Sequence, residues 1–368
     1  MSRKRGKCPK DKSKRGPKPP RPPKPPKPFK GRPLRAGGTA SSHEEALDQA
    51  LIAAYRELSP IFLATPGPGP LSGIRCQLSV HMPTESEFWI LITYGLASKF
   101  GFELTLRVPK GHLFETQPPR WALLLLSSLS DFAVQLERAF VPGNRINLGG
   151  PISLEDPTQL RAAAFIKEPT IRAIEGEYAT QFVQIVGLSG PELEAGSSWD
   201  LGQLMDLILE RVPLGITNIE RECLLKTDPE LRKRVQEGIE REGSTEEAAT
   251  IDILKWKIGL RGGLTLTLGA LAVSLFQGLL KGRTRHQREF ELFDPDHQVT
   301  IRPGEAFSFE ADPKDKRHLT LTLPESQVTR LVEELKPVRG AYELEGWTVK
   351  VCESVITDEL GTVIERVG

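Results

Sequence analysis

FWILITYGLASKFGFELTLRV, residues 88–108, reads as two strands joined by a bend. The runs 88–92 and 102–108 are rich in apolar residues, and residues 93–101 between them carry Gly95 and the turn that ends at Gly101. In the second run Phe102, Leu104, Leu106 and Val108 share one face, while Glu103, Thr105 and Arg107 share the other. That is the period of two a strand imposes. A sheet therefore opens the folded body, and what precedes and follows it must supply the layers that pack on it.

Upstream, Ser42-His43-Glu44-Glu45 matches a capping box, with Leu47, Leu51, Ala54, Tyr55 and Leu58 at helical spacing behind it. The Pro/Gly run 66–70 breaks the chain before a strand expected over 74–80. Downstream, Pro118-Pro119 introduces a helix on which Trp121, Leu125, Leu129, Phe132, Leu136 and Phe140 form one stripe, ending at Pro142-Gly143. Strands are expected over 145–148, 160–165 and 181–187, and a helix over 198–212. Asp228-Pro229 starts a further helix lined by Leu231, Val235 and Ile239 and stopped by Gly243.

From there the pattern turns strand-rich, with runs at 251–258, 264–268, 272–280, 288–293, 298–301, 306–310 and 318–323. A helix over 325–335 interrupts them, and Trp347, Val349 and Val351 face one way on a late strand. Strands broken by isolated helices predict an α+β architecture, and 368 residues suffice for two domains, each a mixed sheet with packed helices. The expected division is a tail over 1–41, one domain over 42–245 and a second over 246–368. Residues 262–280 form an uncharged run of 19, long enough to span a membrane. The Leu264/Leu266/Leu268 alternation with Thr265 and Thr267, together with four glycines, reads instead as a strand and no span.

The net charge of +1 hides a strong polarity: residues 1–40 carry +14 and ten prolines, and the remainder −13. Such a tail cannot bury enough surface to order itself. It is read as a solubilising linker, as a weak contact for nucleic acid or an anionic surface, or as a segment that folds back on the acidic body. Cys8, Cys76, Cys223 and Cys352 make no C-x-x-C pair, so reduced thiols and a cytoplasmic location are expected. The six histidines show no metal-ligand spacing, and no Walker, G-x-G-x-x-G or G-x-S-x-G element occurs. Neither catalysis, a metal nor a cofactor is expected.

The wording of several stretches resembles the Suppressor of fused family. Beside the opening passage, Gln184-Ile185-Val186-Gly187-Leu188 followed by Glu192-Leu193 and Trp199 looks like that family's "LQIVGv…EL…W". The run from Leu214 through Thr217 to Arg221 is similar to its "lITDmrR". Asp228-Pro229-Glu230-Leu231, Gly238-Ile239-Glu240 and Gly243-Ser244 track "DPhLqerVdkGIE.dGS", and Gly269-Ala270-Leu271 with Gly282-Arg283 looks like "GALiPLcLrGRLLhGRhF". The resemblance implies two domains that clamp an extended peptide by adding it as a strand, which in animal members belongs to Gli-type transcription factors. Backbone hydrogen bonds would supply the affinity and pockets for alternate side chains the selectivity.

Carried over position by position, the resemblance implies a peptide groove formed by Phe132, Phe140 and Asn144 in the first domain and by Leu271, Ala249 and Ile251 in the second. Read without it, Phe132, Phe140 and Leu271 are core residues, and Asn144 is a turn residue after Pro142-Gly143. Animal members carry tyrosine where this chain has Phe132 and aspartate where it has Asn144, so a different peptide is expected. The absence of a long insertion before the second domain is similar to compact bacterial members. The expected function is capture of a protein segment or toxin, in the manner of an immunity protein. The rival expectation is a nucleic-acid-associated protein that binds through its basic tail.

Overall fold

The computed structural model describes residues 42–55, 61–63, 77–81, 88–111, 117–260, 262–357 and 363–368. The basic tail and the Pro/Gly run 66–70 lie outside the described residues. The first half runs α1 (His43–Ala54), β1 (Ile61–Leu63), β2 (Gln77–His81), β3 (Phe88–Tyr94), one-turn α2 (Ala97–Phe100), β4 (Phe102–Pro109), α3 (Arg120–Gln135), β5 (Arg145–Asn147), β6 (Leu160–Lys167) and β7 (Gln181–Ser189). It closes with α4 (Gly190–Ser198), α5 (Leu201–Leu209), one-turn α6 (Leu224–Thr227) and α7 (Pro229–Glu242). The strands form one seven-stranded sheet, order β1-β2-β3-β4-β7-β6-β5. Only the central β4–β7 pair is parallel.

Both faces of this sheet are covered. On one, α3 packs Trp121, Leu125 and Leu129 against Trp89, Leu91, Leu104, Leu106 and Phe165. On the other, α1 covers Phe88, Ile90, Ile92 and Phe182, while α4, α5 and α7 cover Ala162, Ala164, Val186 and Leu188. The caps expected from sequence are made: Ser42 accepts from Glu45 N, and Asp228 accepts from Leu231 N behind a proline at the first turn of α7.

Because of this double cover, the polar face of β4 is buried, and Glu103, Thr105 and Arg107 are each fully inaccessible. Their charged and hydroxyl ends find partners, although Arg107 Nε has none among the described residues. The Arg107 guanidinium pairs with Glu168, also inaccessible, and donates to Gln184 Oε1, to Tyr55 Oη at 3.1 Å and to Thr170 Oγ1 at 3.0 Å. Thr105 Oγ1 donates to Glu168 at 2.8 Å, and Gln184 Nε2 donates to the carbonyls of Leu214 and Gly215. The network thus joins the end of α1, the sheet and the turn after α5.

Among the described residues no cation pairs with Glu103. It accepts from Thr93 Oγ1 at 2.5 Å and from the amides of Gly95 at 2.8 Å and Ala97 at 2.9 Å, which pins the bend before β4. Burial pushes its carboxyl up from 4.5 to about 7, against those donors. The folded value lies above the unfolded one, so folding favours the protonated acid. The stability this contributes is full below about pH 4.5 and is lost as pH rises to about 7. Urea titrations across that range should show a decline of up to about 3 kcal/mol that Glu103→Gln lacks. Parallel curves for the two proteins would rule it out.

Three sequence expectations in this half are corrected. Helix α3 stops at Gln135, well before Phe140. Glu137 takes φ 50°, and the amides of Glu137 and Arg138 turn back to the carbonyls of Val134 and Ala133. This is the closing geometry usually made by glycine. The helix expected over 198–212 is α5, shorter at both ends: Asp200 caps it by accepting from Gln203 N, and it stops at Leu209. Residues 190–197, read as connection, are helical behind the capping box of Ser189 and Glu192.

The second half runs β8 (Ala248–Thr250), β9 (Leu254–Ile258), β10 (Leu264–Gly269), α8 (Val273–Gly282), β11 (Phe290–Phe293), β12 (Gln298–Pro303), β13 (Ser308–Ala311) and β14 (His318–Leu323). It ends with α9 (Glu325–Glu334), β15 (Gly340–Leu344), β16 (Trp347–Cys352), β17 (Ser354–Thr357) and β18 (Val363–Val367). Two sheets, ordered β15-β16-β10-β9 and β13-β14-β12-β11-β8, share one core with α8 and α9, and β17–β18 form a hairpin. Residues 272–280 are therefore helix, not strand. Val273, Phe276, Leu279 and Leu280 are the buried stripe of α8, at helical spacing. Residues 251–258 likewise form a strand only from Leu254, with β8 a separate short strand before them. Among the described residues no helix is long and apolar enough to cross a membrane.

Candidate functional site

Two short strands end their sheets on an open side. β5 is the last strand of the seven-stranded sheet and β8 the last of the five-stranded one. On β5, the Asn144 carbonyl and the Leu148 amide bond to β6, so alternation turns the backbone groups of Arg145 and Asn147 outward. On β8, the Glu247 carbonyl and the Ile251 amide bond to β11, which turns those of Ala248 and Thr250 outward. A half-buried ion pair between Arg145 on β5 and Glu246 just before β8 brings the two edges together. Burial pushes the Arg145 guanidinium down to about 10 by stripping water from its charge.

Further contacts join the halves around these edges. Arg161 on β6 pairs with Glu365 on β18 at 3.0 Å. A Cβ on Gly149, just past β5, would rest against Ile356 of β17 at 3.7 Å. Gly278 and Gly282 of α8 lie against Ser198 at the end of α4, where a Cβ at either position would overlap Ser198 atoms. Glycine is needed here because the Ser198 hydroxyl crowds Gly278 and the Ser198 carbonyl crowds Gly282.

The sequence-named residues distribute over this junction. Phe132 is exposed to 37% and stacks on Phe140 at 6.3 Å between centroids. Phe140 stacks on Phe165 at 4.1 Å and is only partly buried. Asn144 Oδ1 accepts from Val141 N at 3.2 Å, the turn role expected of it, and Nδ2 has no partner among the described residues. These three lie together at the start of β5. Ala249 on β8 and Ile251 just after it have side chains buried in the second core, so they offer a ligand no side-chain surface. Leu271 lies in a short 3-10 turn ahead of α8 rather than on a strand, and its amide donates to Ser354 Oγ at 3.1 Å. The outward backbone groups of Arg145, Asn147, Ala248 and Thr250 are missing from the sequence-derived set. An edge is defined by the neighbour it lacks, which a three-residue strand does not announce.

Among the described residues no group of three or more His, Cys, Asp or Glu side chains could hold a metal ion. Comparison with known proteins matches residues 67–222 to the profile of the Suppressor of fused protein. That segment is similar to the Suppressor of fused family. The Suppressor of fused homolog of Homo sapiens is 29% identical over 204 residues, covering 48% of this chain and 42% of the relative. The Mus musculus homolog is 28% identical over the same length. The chain thus aligns with about two-fifths of the curated relatives it matches. The crystal structure of Drosophila Suppressor of Fused superposes with a TM-score of 0.58 at 16% identity, over 84% of this chain and 96% of that one, a likeness of fold.

Several Suppressor of fused motif positions now have a physical reason. Glu192 is fully buried, and burial alone would raise its carboxyl. Bidentate donation from Arg221 at 2.7 Å, with the amides of Ser189 and Leu224, instead holds it below the usual range. Arg221 also donates to the Gly187 carbonyl. Gly238 faces the indole of Trp199, which leaves no room for a Cβ.

Proposed function

We propose that the chain is a non-enzymatic protein-binding module that takes up an extended partner segment as an added strand between β5 and β8. The reading rests on one observation: two strand edges with outward backbone groups, tied side by side through Arg145 and Glu246. An unpaired edge satisfies a peptide's amides and carbonyls as a sheet neighbour would. Phe132, Phe140 and Asn144 flank β5 and would supply selectivity, with Leu271 on the opposite side. Asn144 in place of a carboxylate offers a neutral donor, which favours an acceptor on the partner over a charged histidine. The domains over 42–245 and 246–368 are the two jaws of this reading, and a toxin segment captured in the manner of an immunity protein is the partner class it would suit.

The test is selection of peptides from a random display library on the full chain, followed by hydrogen exchange with and without the selected peptide. The amides of Arg145, Asn147, Ala248 and Thr250 should gain protection. Thr250→Pro removes one outward amide while leaving the bonds to β11, so it should cut affinity at least about tenfold with little effect on folding. Peptide binding that protects none of these amides and survives the substitution would refute strand addition. Binding that instead follows the basic residues 1–40 and collapses with salt would favour the nucleic-acid reading.

A further inference from the structure

We infer that the β9–β10 hairpin is a docking point for an anionic lipid surface, separate from the strand groove. β9 is the free edge of the four-stranded sheet. Along its inner face burial falls off as the strand outruns the core: Leu254 is fully buried, Trp256 partly, and Ile258 is 40% exposed. At the turn Leu260 is completely exposed. The turn is closed by the Gly262 amide on the Gly259 carbonyl at 2.9 Å and the Gly259 amide on the Gly263 carbonyl at 2.8 Å. It therefore presents Leu260 from a short, hydrogen-bonded loop.

The outer face of the same strand carries Lys255 and Lys257, both exposed. Register places Lys255 opposite Thr267 and Thr267 opposite Lys350, so a third exposed lysine lies in the same row. None of the three is in an ion pair with a described carboxylate. At about 3.3 Å per residue, Lys257 stands roughly 7–10 Å behind Leu260. That is the spacing between the upper acyl region, where Leu260 and Ile258 would lie, and the phosphates that would meet the lysines.

A second copy of the chain is the poorer occupant. Pairing β9 with itself would set lysines against lysines, which is how exposed edges are kept from self-association. A lipid surface takes both features at once, burying the apolar tip and neutralising the charge.

Flotation of the full chain with phosphatidylcholine vesicles, with and without phosphatidylserine, tests this. Binding should require phosphatidylserine and should fall about tenfold in Leu260→Asp and in the double variant Lys255→Glu/Lys257→Glu. Thermal midpoints should not change, since all three side chains are exposed. An environment-sensitive dye on Leu260→Cys should shift to the blue on those vesicles. Failure of the wild-type chain to bind would overturn the inference, as would binding by the basic tail that Leu260→Asp leaves intact. A dimer in the absence of vesicles that Leu260→Asp dissolves would replace it with self-association.

Discussion

Glu168→Ala should lower the stability of the folded chain by about 3–5 kcal/mol in urea denaturation, with binding-edge residues untouched. The Arg107 and Glu168 side chains are both wholly inaccessible, and among the described residues the carboxylate is the one anion paired with the guanidinium. Removing it leaves a cation under α1 with neutral acceptors alone, Gln184, Tyr55 and Thr170. It also strands Thr105 Oγ1 and the amide of Thr170, which donate to the same carboxylate. The pair itself need not be a net source of stability, because desolvating two charges offsets much of their attraction. Arg107→Met/Glu168→Leu should accordingly recover much of the loss. A cost below about 1 kcal/mol for Glu168→Ala would mean that water reaches the site.

Gly243→Ala should cost at least about 3 kcal/mol and should weaken any ligand that bridges the two halves. Gly243 ends α7 with φ 67° and ψ −167°, a region open almost only to glycine. A Cβ there would also overlap the Gly282 carbonyl and the His286 ring. The carbonyl cannot swing away, since it accepts from the Ser244 amide at 2.6 Å, and Ser244 Oγ donates to the Ser197 carbonyl. Backbone strain and steric overlap thus add at one position. Gly190→Ala is the control: a Cβ there meets nothing, so the change should stay within about 0.5 kcal/mol. Equal stability of the two variants in thermal and urea unfolding would contradict the assignment.

Much of the fold could be read from local chemistry. The Ser42 and Asp228 caps, the alternation of β4 and the stripe of α9 each depend on residues within one or two turns of one another. What could not be read depended on distant partners. The Glu103/Thr105/Arg107 face looks like a solvent face until α1 and the 168–171 and 214–215 segments close over it. In the sequence, α8 reads as a strand because its apolar residues run together and its glycines weaken a helix. Gly278 and Gly282 are in fact where the helix lies against Ser198. At the candidate site the aromatic residues were legible as apolar, while the edges that would receive a ligand were not. A missing neighbour leaves no mark in the sequence.

The abutment of α8 on the end of α4 has a mechanical consequence. With the Ser198 carbonyl resting on the Gly282 backbone, and only small serine side chains beside it, the halves meet at a stop with little that can compress. One added strand needs its two neighbours about 9–10 Å apart, twice the strand spacing. A helix with its side chains is itself about 10–12 Å across and would need a wider opening. A gap held at a fixed width by such a stop acts as a thickness gauge. It would admit a flat, extended chain and turn away a folded one before any side chain is read.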